Sequence, residues 1–539
     1  MKIQILQGIN LENDVTTIKI LFDKEIDKGI IEEIKAYHPI FLKSYTLDKN
    51  QLTIQSKLPH MWEEIAKTLN QEKSYEKAKK RILEKIIRTQ VKSMSTIAIL
   101  DTADKMDEEI TPFLRKEGLF TDFGDTKFNR QYCIGCGARS TVTVSLSSCR
   151  DSQLAKQLQT DKYLTNTLME RLSIPLAKWE TIMSKRHLKE IFNKYKKPIV
   201  IKPTSLTGGK GVHTKINTIK EVEKAYNEVV YTINHETQAK QKNKIIIQEQ
   251  IEGEDYRLLV VNNNLEAATK RVPAFVEGNG KSTIKELIEE TNKDPRRDIN
   301  NPTHILKPIK IDKPLNEYLK EQGLNLSYIP KNKEKITVRK VASMSQGGIT
   351  VDFTDKVHKQ IKYLSEILAQ SLRAYVLGID VICEDISKPL TPENGGIIEV
   401  NTMPEAYLNM HPVLGSQRPQ IATKFLKGLL DSTPTKKIVI LGGKAQEVKK
   451  ITQSLKGNIG IYSKNSIYIN NELINKDISA DKAIESLKIN AYLHNIVLHY
   501  NKIKEVKEYG LGFDKIDILY IKKDLSNQIR KLNTKIIKF

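Results

Sequence analysis

Asp380 interrupts the apolar run Gly378-Ile379-Asp380-Val381-Ile382, and Glu399 and Asn401 sit two residues apart in Gly395-Gly396-Ile397-Ile398-Glu399-Val400-Asn401. Both runs have the β-branched composition of strands. Residues two apart on a strand share a face, so Glu399 and Asn401 project together. Two carboxylates and an amide oxygen suit Mg²⁺, which takes a few protein oxygens and completes its shell with water and substrate phosphates. Carboxylates on apolar strands are rare without a reason. The alternative reason is an ion pair with Lys or Arg.

Upstream, a short apolar strand ends in Lys202-Pro203 and enters Thr204-Ser205-Leu206-Thr207-Gly208-Gly209-Lys210-Gly211-Val212. Glycines let backbone N–H groups approach phosphate oxygens closely, and Lys202 adds a point charge. No Gly-Lys-Ser/Thr opens a helix here, so this is not a P-loop. A plain β-hairpin is the alternative.

The flanking pattern supplies elements to hold these groups. Residues 150–172 read as one or two amphipathic helices, and strands are expected at 245–249 and 256–261. A helix over 357–373 runs into the Asp380 strand. Before this region, residues 1–130 alternate short strands with helices, one of them from His60 to about Lys92. Its second half carries Lys77, Lys79, Lys80, Arg81, Lys85 and Arg88 around the apolar stripe Ile82, Leu83, Ile86, Ile87. After it, residues 431–437 read as a linker, and a last α/β segment begins with Ile438-Val439-Ile440-Leu441.

These parts resemble the ATP-grasp superfamily over about residues 150–430. The motifs Asp161-Lys162, Ile201-Lys202-Pro203, Gly208-Gly209-Lys210-Gly211-Val212, Gln248-Glu249-Gln250-Ile251-Glu252-Gly253, Gly378-Ile379-Asp380-Val381 and Ile398-Glu399-Val400-Asn401 stand in that family's order and spacing. Such enzymes phosphorylate a carboxylate with ATP, and an amine then attacks the acyl phosphate. The resemblance implies that Lys162, Lys202, Gly208, Gly209, Lys210 and Gly211 hold phosphates. It implies that Gln248, Glu249 and Ile251 form the adenine hinge, with Gln248 standing where many members carry Glu. Asp255 would meet the ribose, and Asp380, Glu399 and Asn401 would hold Mg²⁺.

A narrower resemblance is to cyanophycin synthetases and to the ATP-grasp half of bifunctional glutathione synthetases. It rests on the stretch from Lys270-Arg271-Val272-Pro273 to Gly280-Lys281-Ser282-Thr283-Ile284, on Asn292-Lys293-Asp294-Pro295-Arg296-Arg297, and on Val338-Arg339-Lys340 through Ser343-Met344-Ser345-Gln346-Gly347-Gly348. Ser148-Cys149-Arg150-Asp151-Ser152 and Tyr509-Gly510-Leu511-Gly512-Phe513-Asp514 favour the cyanophycin side, the latter being similar to part of its Mur-ligase module. The resemblance implies Arg271 and Arg339, with Lys202, as catalytic groups, and Ser152, Arg296, Arg297 and Ser345 as weaker substrate contacts. The expected architecture is multidomain α/β and α+β. An N-terminal α/β domain spans 1–147, an ATP-grasp domain 148–432, and a truncated Mur-ligase-like α/β domain 436–539.

Departures from the resemblance narrow the expectation. Where a Mur phosphate loop needs Lys followed by a hydroxyl residue, this chain reads Gly442-Gly443-Lys444-Ala445, so the tail is expected to be an ATP-dead remnant. His60-Met61-Trp62-Glu63-Glu64 lacks the second His of a metal-binding His-x-x-Glu-His motif; His60 reads as a cap or surface residue. Asn401-Thr402-Met403-Pro404-Glu405 lacks the glycine that relatives carry after the proline, beside the acceptor site. Cys133-Ile134-Gly135-Cys136 has only Cys149 nearby, one ligand short of a closed zinc site, and reads as buried structural thiols.

The chain has 539 residues and a formal net charge of +22, from 87 Lys and Arg against 65 Asp and Glu. With 39% hydrophobic residues it has the composition of a globular protein, not of a disordered or collagenous chain. Most of the positive excess is Lys in an Asn- and Ile-rich background, and no nucleic-acid module is visible. No apolar run reaches a membrane span, and four cysteines make no disulfide framework, so a cytoplasmic, soluble protein is expected. The function expected is an ADP-forming carboxylate–amine ligase using ATP and Mg²⁺ to extend a cyanophycin-like peptide polymer with amino acids or dipeptides. The alternatives are a glutathione-type ligase making one amide bond and a silent polyanion-binding scaffold. A homo-oligomer is expected, with no nucleic-acid or membrane partner.

Overall fold

The computed structural model describes all residues except 88–92, 115–130, 207–209, 236–243, 299–304, 530, 531, 533 and 539. Two compact units emerge: Met1–Cys149 together with Ala422–Phe539, and Arg150–Ile421. The segments treated above as an N-terminal and a C-terminal domain therefore share one unit. No helix among the described residues is long and apolar enough to cross a membrane.

In the first unit, four antiparallel strands lie in the order Lys2–Leu6, Thr17–Leu21, Gln51–Gln55, Ser44–Asp48. Ile18 faces Ile54 and Ile20 faces Leu52 across the ladder, all four buried, as period-two alternation requires. The expected helix from His60 is broken. It runs Pro59–Gln71, stops, restarts at Tyr75–Lys80 behind the Ser74 N-cap, and continues as a wider π-helical turn over Arg81–Ile87. The stripe residues Ile82, Ile86 and Ile87 are buried, Lys77 and Lys80 are exposed, and Lys79 pairs with Glu33 at 2.9 Å. Arg88 lies outside the described residues. His60 is neither cap nor surface: Leu58 holds the cap position, and the imidazole is buried beside Tyr132.

The tail folds as a seven-stranded sheet whose core is parallel, with Lys436–Leu441 between Asn495–Tyr500 and Ile518–Ile521. The expected linker gives way to strand at Lys436. The seam joining the two ends of the chain is both backbone and charge. Gln7 N–H donates to Tyr509 O, Gly512 N–H to Gln7 O, and Ile9 N–H to Phe513 O, each within 2.9 Å. A Cβ on Gly8 would stand 2.1 Å from Phe513 O, so only glycine allows this approach. Beneath it, Glu109 is buried and accepts from Lys488 at 2.8 Å and from the Asp514 N–H at 2.8 Å. Lys57 joins Asp514 at 2.7 Å and Asp104 at 3.2 Å. Burial by itself raises the Glu109 carboxyl; Lys488, Lys437 and Lys57 outweigh it and hold it down at about 2.

In the second unit, one antiparallel sheet has the order His213–Ile216, Ile199–Pro203, Ile245–Glu249, Trp179–Ile182. Ile199, Ile201, Ile245, Ile247 and Ile182 point into a core shared with Leu188–Asn193 and Ile219–His235. The opposite face is left to Lys202 and Gln248. The second sheet has the order Ile349–Asp352, Asn264–Val272, Glu254–Val261, Val376–Cys383, Gly395–Asn401. Its apolar face packs on helix Lys359–Leu372, which ends at Arg373 in a left-handed conformation. A strand pair, Phe275–Glu277 with Lys335–Thr337, and helices Ile284–Thr291 and Lys313–Glu321 enclose a separate small core. Residues 150–172 form two helices, Gln153–Gln159 and Lys162–Arg171, each opened by a Ser152 or Asp161 cap.

The Glu109 seam predicts a specific acid sensitivity. Because the folded carboxyl lies below the unfolded value of about 4.3, its stabilisation is present above that value and is lost as pH falls from there towards about 2. Glu109→Gln strands buried lysines without their counter-charge and should cost about 3–5 kcal/mol. Urea unfolding followed by far-ultraviolet circular dichroism at neutral pH, and again at about pH 3, should show a gap between parent and variant that narrows in acid.

Candidate active site

Asp380 and Glu399 are direct cross-strand partners, and Asn401 faces Gly378 two residues further along the same ladder. Opposed residues in such a pair bring their side chains close together. Lys202 is buried on the face of its strand opposite the isoleucine core. Burial lowers its ammonium, neighbouring Lys162 lowers it further, and Glu399 pulls the other way, leaving it at about 8. Lys162 opens its helix behind the Asp161 cap, donates its Nζ to Leu206 O at 2.9 Å and stands 3.8 Å from Glu399. Two lysines thus converge on one carboxylate from different elements, a charge pattern made to be completed by an anion.

The structure brings a further ion set to the same place. The Arg257 Nε and Nη2 donate to the two oxygens of Asp380, the second at 3.1 Å. Arg271 reaches Asp380 Oδ2 at 3.1 Å and holds Asp255 through Nε and Nη2 at 2.9 and 2.6 Å. The register explains the cluster: Arg257 pairs with Asp380 across one ladder, and Asp255 with Arg271 across the next. Burial raises the Asp255 carboxyl against the pull of Arg271. Asp255, which the resemblance directs to a ribose, is here the partner of Arg271. Sequence reasoning missed Arg257; its signal was an arginine inside the apolar strand Tyr256-Arg257-Leu258-Leu259.

At the hinge, Gln248 is buried, Glu249 Oε1 accepts the Lys196 N–H at 3.0 Å, and the Gln250 N–H donates to Pro198 O at 3.0 Å. A Cβ on Gly396 would stand 2.6 Å from Ile251 Cδ1, so a bare glycine lets the hinge isoleucine lie against the second sheet. Lys210 is exposed and Gly211 takes a positive φ of 68°, while Gly208 and Gly209 lie outside the described residues.

The remaining expected residues have other partners. Arg339 is buried and donates to Lys310 O at 2.6 Å and to Asp312 at 2.8 Å. The Arg297 Nη1 is used by Lys307 O and Gly347 O, and Arg296 by Asp294. Ser345 bonds Ser343, and Ser152 caps its helix. The side chains gathered around Asp380 are therefore Arg257, Arg271 and Asp255, with Glu399, Lys162 and Lys202 alongside.

The donor set Asp380, Glu399 and Asn401 fits a hard divalent cation by chemistry and by register: three oxygens from two paired strands, with nearby lysines for phosphates. No cluster of three or more His, Cys, Asp or Glu suited to a metal occurs among the described residues, and the third oxygen of the expected set is the amide of Asn401. Cys133, Cys136 and Cys383 are free and buried, and Cys149 is free and exposed. Burial raises the Cys136 thiol to about 12, the opposite of what redox or zinc chemistry needs.

Residues 160–273 match the ATP-grasp (A) domain of phosphoribosylglycinamide synthetase. The cyanophycin synthetase of Synechocystis sp. is 30% identical over 394 residues, 71% of this chain and 44% of its own. The chain is a cyanophycin synthetase-like ATP-grasp protein. The glutathione biosynthesis bifunctional protein of Clostridium perfringens is 32% identical to it over 284 residues, 51% of this chain and 35% of its own. A solved bifunctional glutathione synthetase from Pasteurella multocida aligns at 22% identity and a TM-score of 0.49, over 66% of this chain and 46% of its own. The ATP-grasp chain thus spans less than half the length of these curated relatives.

Anion binding at Lys202 requires its ammonium to be charged. With its ammonium at about 8, nucleotide affinity should weaken as pH rises through that value. Calorimetric titration of ADP from about pH 7 to about pH 9 should show the loss, and Lys202→Met should bind weakly throughout with that step removed.

Proposed function

We propose that the protein is an ADP-forming carboxylate–amine ligase that uses ATP and Mg²⁺ to activate a carboxylate as its acyl phosphate and join it to an amine. The observation that carries this reading is the convergence of Lys162 and Lys202 on Glu399, which faces Asp380 across the ladder. Asp380, Glu399 and Asn401 would hold the Mg²⁺, which supplies charge to bridge and neutralise phosphate oxygens when bound. Lys202 and Lys162 balance the charge that builds on the transferred phosphoryl group. Arg271, anchored by Asp255, presents a planar fork suited to an acyl phosphate or a substrate carboxylate. No side chain is asked to act as nucleophile; the work is positioning and charge stabilisation.

Within this class we favour extension of a peptide polymer by amino acids or dipeptides, in a reducing cytoplasm. The 394-residue match to a cyanophycin synthetase supports the polymer; the four unbridged cysteines agree with the compartment. Formation of a single amide bond, as the match to a glutathione biosynthesis protein suggests, is the second reading.

One ATP site suffices for this proposal. At the end of strand Lys436–Leu441, where a phosphate loop would bind, Glu447 accepts the Lys444 N–H at 2.5 Å and the His499 Nε2–H donates to Gly442 O at 3.1 Å. The protein's own carboxylate thus sits where a phosphate would have to go, at a helix N-terminus.

Incubation of the purified chain with ATP, Mg²⁺ and pooled amino acids, dipeptides and peptide primers should release ADP and give ligated product by mass spectrometry. Glu399→Ala should lower turnover at least about 100-fold with unchanged circular dichroism, and Lys444→Ala should leave it unchanged. AMP as the product, or full turnover in Glu399→Ala, would overturn the proposal.

A further inference from the structure

The Asp380 carboxylate is needed by two kinds of cation at once. In the structure, Arg257 grips both of its oxygens and Arg271 adds a third N–H at Oδ2. A carboxylate offers about four lone-pair sites, so three are already taken. The group is largely buried, with 12% of the Asp380 side chain and 18% of the Arg257 side chain exposed, so water screens little of the charge between them.

The two arginines are not equivalent. Arg271 has Asp255 as a second anchor at 2.6 Å. Arg257 has Asp380 as the sole carboxylate within ion-pair distance among the described residues. A divalent ion at Asp380 would place its charge against the same N–H groups that now point at those oxygens, in a site of low dielectric. Both cannot hold the carboxylate at full strength.

We propose that Arg257 is an internal counter-cation that holds Asp380 while the metal is absent and is displaced from it when the metal binds. This rests on the metal assignment made under the proposed function. It makes Arg257 a positioning residue: it keeps a buried carboxylate oriented and neutralised in the empty cleft, and it sets how strongly the ion must bind to enter. Release turns a paired arginine into an unpaired fork beside the carboxylate pair, matched to phosphoryl oxygens.

The test reads metal binding without turnover. Mn²⁺ is titrated into the full chain with a non-hydrolysable ATP analogue, and free Mn²⁺ is followed by electron paramagnetic resonance. Arg257→Lys keeps the positive charge and loses the two-pronged grip. Competition predicts that Arg257→Lys and Arg257→Gln both bind Mn²⁺ about tenfold more tightly than the parent. Tighter binding in Arg257→Gln with parental binding in Arg257→Lys would reduce the effect to simple repulsion and overturn the proposal, as would weaker binding in both. A crystal structure of the parent with Mn²⁺ and the analogue gives an independent reading. The Arg257 fork should be off Asp380, and a fork still bidentate beside a bound ion would sink the idea. Glu399→Ala tells the two layers apart: Mn²⁺ binding insensitive to that change overturns the metal assignment itself.

Discussion

A carboxylate carried into an apolar sheet must be met by positive charge, and the second unit is arranged around meeting that need at Asp380. The strand Val376–Cys383 runs between Glu254–Val261 and Gly395–Asn401, so Asp380 has Arg257 on one side and Glu399 on the other. Burial makes each of these groups costly alone and strongly interacting together. Glu399 adds a second negative charge, which the lysines approach, and the Arg271–Asp255 pair extends the alternation one strand further. Burial likewise brings the Lys202 ammonium down to about 8, so its charge is held at neutral pH and lost just above it. In the proposed ligase an ion and a polyanion would enter this charged site together, each making the other less costly to bind.

The first unit solves a different problem with similar means. Its two chain ends, 379 residues apart at Glu109–Lys488 and 457 at Lys57–Asp514, meet over these four charged groups. Breaking such a network from one side leaves a buried charge behind, which penalises every arrangement except the native one. The tail resembles a nucleotide-binding module in sequence, yet its glycine turn is closed by Glu447 and His499, while its Gly510–Asp514 segment packs on the first strand's end. The tail shares one unit with the N-terminal half of the chain.

How much of this was legible in the residues themselves differs from element to element. Strand and helix positions around Lys202, Asp380 and Glu399 followed from apolar periodicity, because burial of one face is imposed residue by residue. The shared face of Glu399 and Asn401 followed from strand geometry alone. The break after Gln71 and the burial of His60 did not, since both depend on what packs against that helix.

The chain by itself therefore determined the elements, the ligand types and the ATP-grasp order of motifs, all of which are local or depend on spacing along one strand. Only the tertiary structure decided the partners. It set Arg257 against Asp380 and Arg339 against Asp312, turned Arg297 inward to backbone carbonyls, and joined the two chain ends into one unit. The reason is that a long cation has no periodicity to reveal its target. Which carboxylate it reaches depends on the register between strands, and that register is fixed by the packing of the whole sheet.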